Sequence, residues 1–173
     1  METTISIADV GAAMSHMAAE DRSVILISPR LTKHFGSANI AALLAVALRE
    51  FKISKGEPFY KFKEPCGHEL YREGDSWEEA LGLSQSAIKT VLNRIGFKLG
   101  QATRRKIAAE ITRDKGREAS KEEIQHLFEK RKNEALIVYY TDRDNVTWYT
   151  LNMKEVSKLI TAVYGNKEAL EER

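Results

Sequence analysis

The chain carries one cysteine, Cys66, and three prolines among 173 residues. A single cysteine closes no internal disulfide, which fits a reducing cytoplasm. It also leaves little from which to build a zinc site. About four ligands are the rule; His68 is close to Cys66, but His34 and His126 lie far off in sequence. No metal is therefore expected. Long apolar runs are missing as well. The longest, Ile40 to Leu48 (IAALLAVAL), falls far short of the roughly 20 residues that cross a bilayer. The start, METTISIADVGAAMSH, has no basic stretch leading into an apolar one, so no secretory signal is read. These absences point to a cytoplasmic protein with no membrane association.

Chemical motifs are scarce too. There is no glycine-rich phosphate loop, no HExxH and no nucleophile elbow. Acid pairs such as Glu78-Glu79 and Glu122-Glu123 fall on helix faces expected to be solvated. No enzyme, cofactor or small-molecule substrate is expected. Nor is there a large excess of one charge. A net charge of +2 neither requires nor excludes a nucleic-acid partner, so any such case must rest on local charge.

What is present is enough for a core: 43% of residues are hydrophobic, and the length suits one domain with a modest appendage. Residues 1–22 read as a loosely ordered or helical segment, 23–164 as the domain, and 165–173 as a frayed tail. Val24 to Ile27 suits a brief strand or extended lead-in, stopped at Ser28-Pro29. From Ser37 to Phe51 apolar residues fill nearly every side, which predicts a buried helix capped by Ser37 or Asn39. After a turn at Lys55 to Pro58, FYKFK (59–63) reads as a strand with Tyr60 and Phe62 on one face and Lys61 and Lys63 on the other. Residues 64–75 are mostly loop. A charged insert spans 98–134, with helices near 102–114 and 120–133. A hairpin over 135–151 follows, with strands at 136–140 and 146–151 around a turn at Thr141 to Asn145. Asn152 with Glu155 then opens a last helix to about Tyr164.

Between loop and insert lies DSWEEALGLSQSAIKTVL (75–92), two short helices around Gly82. In the second, Ile88, Val91, Leu92 and Ile95 form one apolar stripe, and Ser84 is placed to cap it. Opposite stand Gln85, Ser86, Lys89, Thr90, Asn93 and Arg94. This set contains no acid, and its donors and amides are what a helix needs to reach base edges and phosphates. A compact helical corner would show the same spacing, since a helix-turn-helix pattern alone is weak. The order of elements adds weight. A buried helix, a short strand, a helix pair and a hairpin predict a mainly α fold with a small antiparallel sheet: a winged helix with a helical insert between recognition helix and wing. Arg143 falls at the expected wing tip, where an arginine can reach a phosphate or narrow groove. Asp142 and Asp144 beside it oppose that, and a plain solvated turn is the other reading. Trp77 and Trp148 are read as core.

The stretches FYKF, GDSW (74–77), GLS (82–84) and VTWYTLN (146–152) resemble the aromatic strand, helix-pair opening, turn and wing strand of winged helix-turn-helix proteins of phages, plasmids and integrated elements. The resemblance covers about 37–96 and 135–160. It implies DNA binding in replication or transcriptional regulation, without fixing which.

The insert's first part, 98–117, holds Lys98, Arg104, Arg105, Lys106, Arg113, Lys115 and Arg117 against Glu110 and Asp114. Seven cations against two acids could supply salt-sensitive backbone affinity, or simply form a solvated face. In the second part Ile124, Leu127 and Phe128 could form a self-association seam or cover the domain's own core. The partner expected is double-stranded DNA, read through Gln85, Ser86, Lys89, Thr90, Asn93 and Arg94, with Arg104, Arg105, Lys106 and Arg143 on the backbone. A homodimer would read two half-sites. The rival is a protein-interaction module, which predicts an exposed apolar patch on the 85–94 face or on the 120–133 helix.

Overall fold

The computed structural model describes residues 25 and 27–165; the expected N-terminal segment and all of the tail but Gly165 lie outside them. Among the described residues the fold is mainly helical with a small four-stranded mixed sheet. In chain order the elements are α1 (Pro29–Phe35), α2 (Ala38–Ile53), β1 (Phe59–Tyr60), α3 (Trp77–Leu81) and α4 (Gln85–Ile95). These are followed by β2 (Gly96–Lys98), α5 (Gln101–Lys115), α6 (Lys121–Glu134), β3 (Ile137–Thr141), β4 (Thr147–Leu151) and α7 (Met153–Tyr164).

The elements start and stop where local chemistry directs. Ser28 does more than end an extended run. Its backbone is extended, its hydroxyl accepts from the Leu31 N–H at 3.4 Å, and Pro29 opens α1 behind it. Proline suits a first turn because the missing N–H would have no partner there. Ile25 and Ile27 pair with no strand. In α2, Ile40 to Leu44, Val46 and Ala47 are buried, so the helix sits in the centre of the domain as its apolar composition predicts.

The sheet runs in the order β1-β4-β3-β2. β3 and β4 form the expected antiparallel hairpin, with Tyr139 opposite Tyr149 and Thr141 opposite Thr147. β1 pairs antiparallel with the far edge of β4. The sheet is nevertheless mixed, because β2 joins β3 in parallel, Phe97 opposite Val138 and Lys98 opposite Tyr139. This strand follows α4 directly, and Gly96 makes that possible. A Cβ there would come within 2.8 Å of the Leu92 carbonyl oxygen and 3.2 Å of the Tyr139 ring. The insert is thus a β2–α5–α6–β3 crossover, as parallel pairing requires.

A buried cation lies at Lys61. Tyr60 and Phe62 do share a face, their rings 5.8 Å apart. Lys61, on the opposite face, is buried, because alternation puts it on the same face as buried Phe59. Its Nζ donates to the Gly74 carbonyl at 3.1 Å, lies 4.0 Å from a Glu50 carboxylate oxygen and sits over the Trp77 ring. Burial pulls its pKa below the ordinary lysine value, and Glu50 opposes that.

The main core joins α2, α3, α4 and the inner sheet face around Trp77, Tyr149, Leu43, Ile88 and Ile137. The Trp77 and Tyr149 rings meet edge to face at 5.3 Å. The insert holds a smaller core of Phe97, Ile107, Ile111 and Phe128, against which Ile124 and Leu127 pack. The apolar side chains of α6 therefore cover the chain's own core. Phe97 belongs to both the sheet and this cluster, so it ties insert to sheet.

Candidate nucleic-acid interface

α3 is held by a capping box. The Ser76 hydroxyl accepts from the Glu79 N–H at 3.1 Å while the Glu79 carboxylate accepts from the Ser76 N–H, also at 3.1 Å. That carboxylate takes further hydrogen bonds from the Ser76 and Tyr71 hydroxyls. Those donors, Ser76 foremost, hold its pKa down to about 2, and the bond to Glu79 raises Tyr71 to about 12. Gly82 ends α3 in the left-handed region at φ 62°, and Ser84 caps α4 through the Ala87 N–H. The turn between the helices is therefore determined at both ends. Ile88, Val91, Leu92 and Ile95 are buried beneath α4. Gln85, Ser86, Lys89, Thr90, Asn93 and Arg94 are all exposed on its opposite side.

Two depressions flank that exposed face. The larger, about 1170 Å³, runs between α4 on one side and α5 with the end of α6 on the other, over the end of the sheet. Gln85, Ser86, Lys89, Asn93 and Arg94 line it from α4, and Lys106 from α5. The smaller, about 280 Å³, lies between α4 and the start of α2, lined by Ser37, Asn39, Ser86, Thr90 and Arg94. Some side chains of α4 already have partners. Gln85 bonds to the Glu64 carboxylate, Thr90 to its own helix at the Ser86 carbonyl, and Arg94 to the Phe35 carbonyl at 3.0 Å. Lys89 and Asn93 have none among the described residues.

The basic insert divides in two. Arg104 stacks on Phe128, with its guanidinium carbon 4.0 Å from the ring centre, and donates to Gln125. Lys115 and Arg117 converge on Glu123 at 2.5 and 2.6 Å, and Arg113 pairs with Asp114 at 3.2 Å. Those cations are engaged within the insert, and the paired donors hold the Glu123 carboxyl well below its usual range. Arg105 and Lys106 are exposed and make no ion pair among the described residues, and the same holds for Lys98.

Lys63 and Lys98 also line the large depression; sequence reading counted Lys98 only as one cation of the basic run and did not select Lys63. Lys98 lay in a strand with no periodic signal, and Lys63 at the end of a strand taken to run further. The main chain around Lys98 is fixed on both sides. The Leu99 N–H donates to the Tyr139 carbonyl at 2.7 Å, and the Thr103 hydroxyl donates to the Lys98 carbonyl at 2.7 Å.

At the hairpin tip Asp142 is structural. It accepts from the Asp144 and Val146 N–H groups and from the Trp148 indole at 2.7 Å. These bonds, Trp148 first, lower its pKa. Arg143 is exposed beside it. It is not among the residues lining either depression.

Compared with protein-family models, curated proteins and solved structures, the chain matches none. Among the described residues no helix is long and apolar enough to cross a membrane, and no three His, Cys, Asp or Glu side chains group as metal ligands.

Proposed function

We propose that this protein is a winged-helix protein that binds duplex DNA, with α4 in the major groove and the β3–β4 hairpin as the wing. The path α2–β1–α3–α4–β3–β4, with β1 on the outer edge of β4, supports the winged helix. The observation that carries DNA binding is the exposed, acid-free face of α4 bordering a depression that gathers lysines from four separate segments. Lys63, Lys89, Lys98 and Lys106 line it, and none has an acid partner among the described residues. Such lysines suit phosphates, and Gln85 and Asn93 beside them suit base edges. The resemblance noted above extends the proposal to replication or transcriptional regulation of a mobile element.

The rival reading, a protein-interaction module, has less support. Among the described residues the large apolar side chains left exposed are Ile27, Ile53, Leu70, Tyr140, Met153 and Ile160, and none lies on α4 or α6. The test is binding of a labelled mixed-sequence duplex at low salt, followed by anisotropy. Lys89→Glu is expected to weaken binding by at least about tenfold, or about 1.4 kcal/mol, with an unchanged melting temperature because Lys89 is exposed. Wild-type protein that binds no duplex at low salt refutes the proposal.

A further inference from the structure

An α-helix with its side chains is about 10–12 Å across, and the major groove is about 12 Å wide. A helix seated there fills it, so the two sugar–phosphate backbones run along its flanks. Resting on the DNA-binding reading above, we infer that the trench between α4 and the insert seats one of these backbones. Lys98 and Lys106 form its far wall. The insert then acts as a second jaw, opposite the reading helix.

Four features of the trench support this. First, its size, about 1170 Å³, exceeds the roughly 300–1,000 Å³ of small-molecule pockets, which suits a continuous strand. Second, Lys98 and Lys106 come from the far side and carry no ion pair among the described residues. Among the described residues the only carboxylate lining the trench is that of Glu134, while Arg131 in the same wall is paired to Glu110. Third, the wall is built into the fold. Lys98 is in register with Tyr139 of β3, and Ile107, next to Lys106, is buried in the insert core. A fixed wall makes its contacts without first ordering a loop. Fourth, several other basic side chains of the insert are engaged elsewhere, and Arg105, unpaired among the described residues, does not line the trench. Lys115 and Arg117 are tied to Glu123, and Arg104 to Phe128. The unpaired charge that the insert brings to the trench therefore belongs to two residues, Lys98 and Lys106, rather than to its whole basic run.

The salt dependence of duplex binding tests this, because each phosphate contact contributes about 0.9 to the slope of log K against log salt. The variants are Lys98→Ala/Lys106→Ala and a control, Arg113→Ala/Lys115→Ala/Arg117→Ala. Circular dichroism melts verify that each is folded, and Lys98→Arg/Lys106→Arg checks that charge is what matters. The first variant is expected to lower the slope by about 2, losing roughly twelvefold less affinity than wild type between about 50 and 200 mM salt. The control and the arginine pair are expected to keep the wild-type slope. If wild type binds duplex and the lysine pair leaves the slope unchanged, the jaw is refuted while the DNA reading stands. A control that lowers the slope as much also refutes it, since the basic run as a whole would then be the grip. Wild type that binds single strands in preference to duplex of equal length overturns the groove-flanking placement. If wild type binds no duplex, the underlying reading fails.

Discussion

Replacing Gly96 by alanine probes the joint on which the insert depends. Gly96 ends α4 and begins β2 with φ −115° and ψ 161°, an ordinary extended conformation that any residue adopts. The cost of a side chain is therefore steric alone. An added Cβ meets the Leu92 carbonyl oxygen at 2.8 Å, the Tyr139 ring at 3.2 Å and the Ile137 carbonyl oxygen at 3.5 Å. The 3.5 Å approach is ordinary contact, but the 2.8 Å one is to the backbone of α4 itself, so relief requires the junction between α4 and β2 to shift. Overpacking of this kind costs about 1–3 kcal/mol. For a domain of this size each kcal/mol lowers the melting temperature by about 2–4 °C, which gives an expected drop of about 2–12 °C. Gly67→Ala is the matched control, because nothing lies within 4 Å of its would-be Cβ. That change is expected to be neutral or to stabilise by up to about 1 kcal/mol through the unfolded chain. Urea and thermal unfolding of both variants decide the matter. A Gly96→Ala protein as stable as wild type would refute the direct helix-to-strand junction, and with it the fixed position of Lys98.

The capping box of α3 should appear as a pH dependence. The Glu79 carboxyl is held to about 2 against an unfolded value near 4.3, so the unfolded chain binds the proton first. The stabilisation is present above about pH 4.3 and is lost as pH falls towards 2. Glu79→Gln should therefore be less stable than wild type at pH 7 and lose stability less steeply between those limits; parallel urea titrations at pH 7 and pH 3 that show equal losses would contradict this. In the insert, Arg104→Ala should lower stability by roughly 1 kcal/mol through loss of its packing on Phe128. It should change the salt slope of DNA binding less than Lys106→Ala, and the reverse order would show that the stacking geometry is wrong.

The fold was legible where local chemistry acts alone. Asn152 with Glu155 marks a helix start by spacing, and the Asn152 side chain accepts from the Glu155 N–H, whereas Glu79, read as part of a solvated acid pair, closes a capping box with Ser76. Gly82 marks the turn because the left-handed region favours glycine. The hairpin follows from two β-rich runs around a polar tip. What escaped was set by pairing across the sequence. β2 is three residues long, below the length at which alternation can be recognised. It exists because Ile137 to Tyr139 lie alongside it. Alternation placed Lys61 on the face opposite Tyr60 and Phe62, but it could not say which face is buried. The face of Lys61 is the inner one, shared with buried Phe59, and the Gly74 carbonyl and Glu50 receive the ammonium.

The site divides along the same line. The exposed face of α4 was readable from a period of 3.6 residues within one helix. The opposite jaw was not, because composition counts charges without pairing them. Seven cations in 98–117 looked like a single grip, yet Glu123, which lies beyond that window, takes Lys115 and Arg117. Phe128, further still, takes Arg104. Lys98 and Lys106 are left facing α4, and they are only part of the charge that drew attention to the insert. A charge run therefore predicts a binding surface poorly when the following helix carries acids and aromatics that can fold back on it. The informative quantity is which cations remain unpaired after tertiary packing. By that measure the trench beside α4 is the better guide to where DNA would lie than the basic run itself.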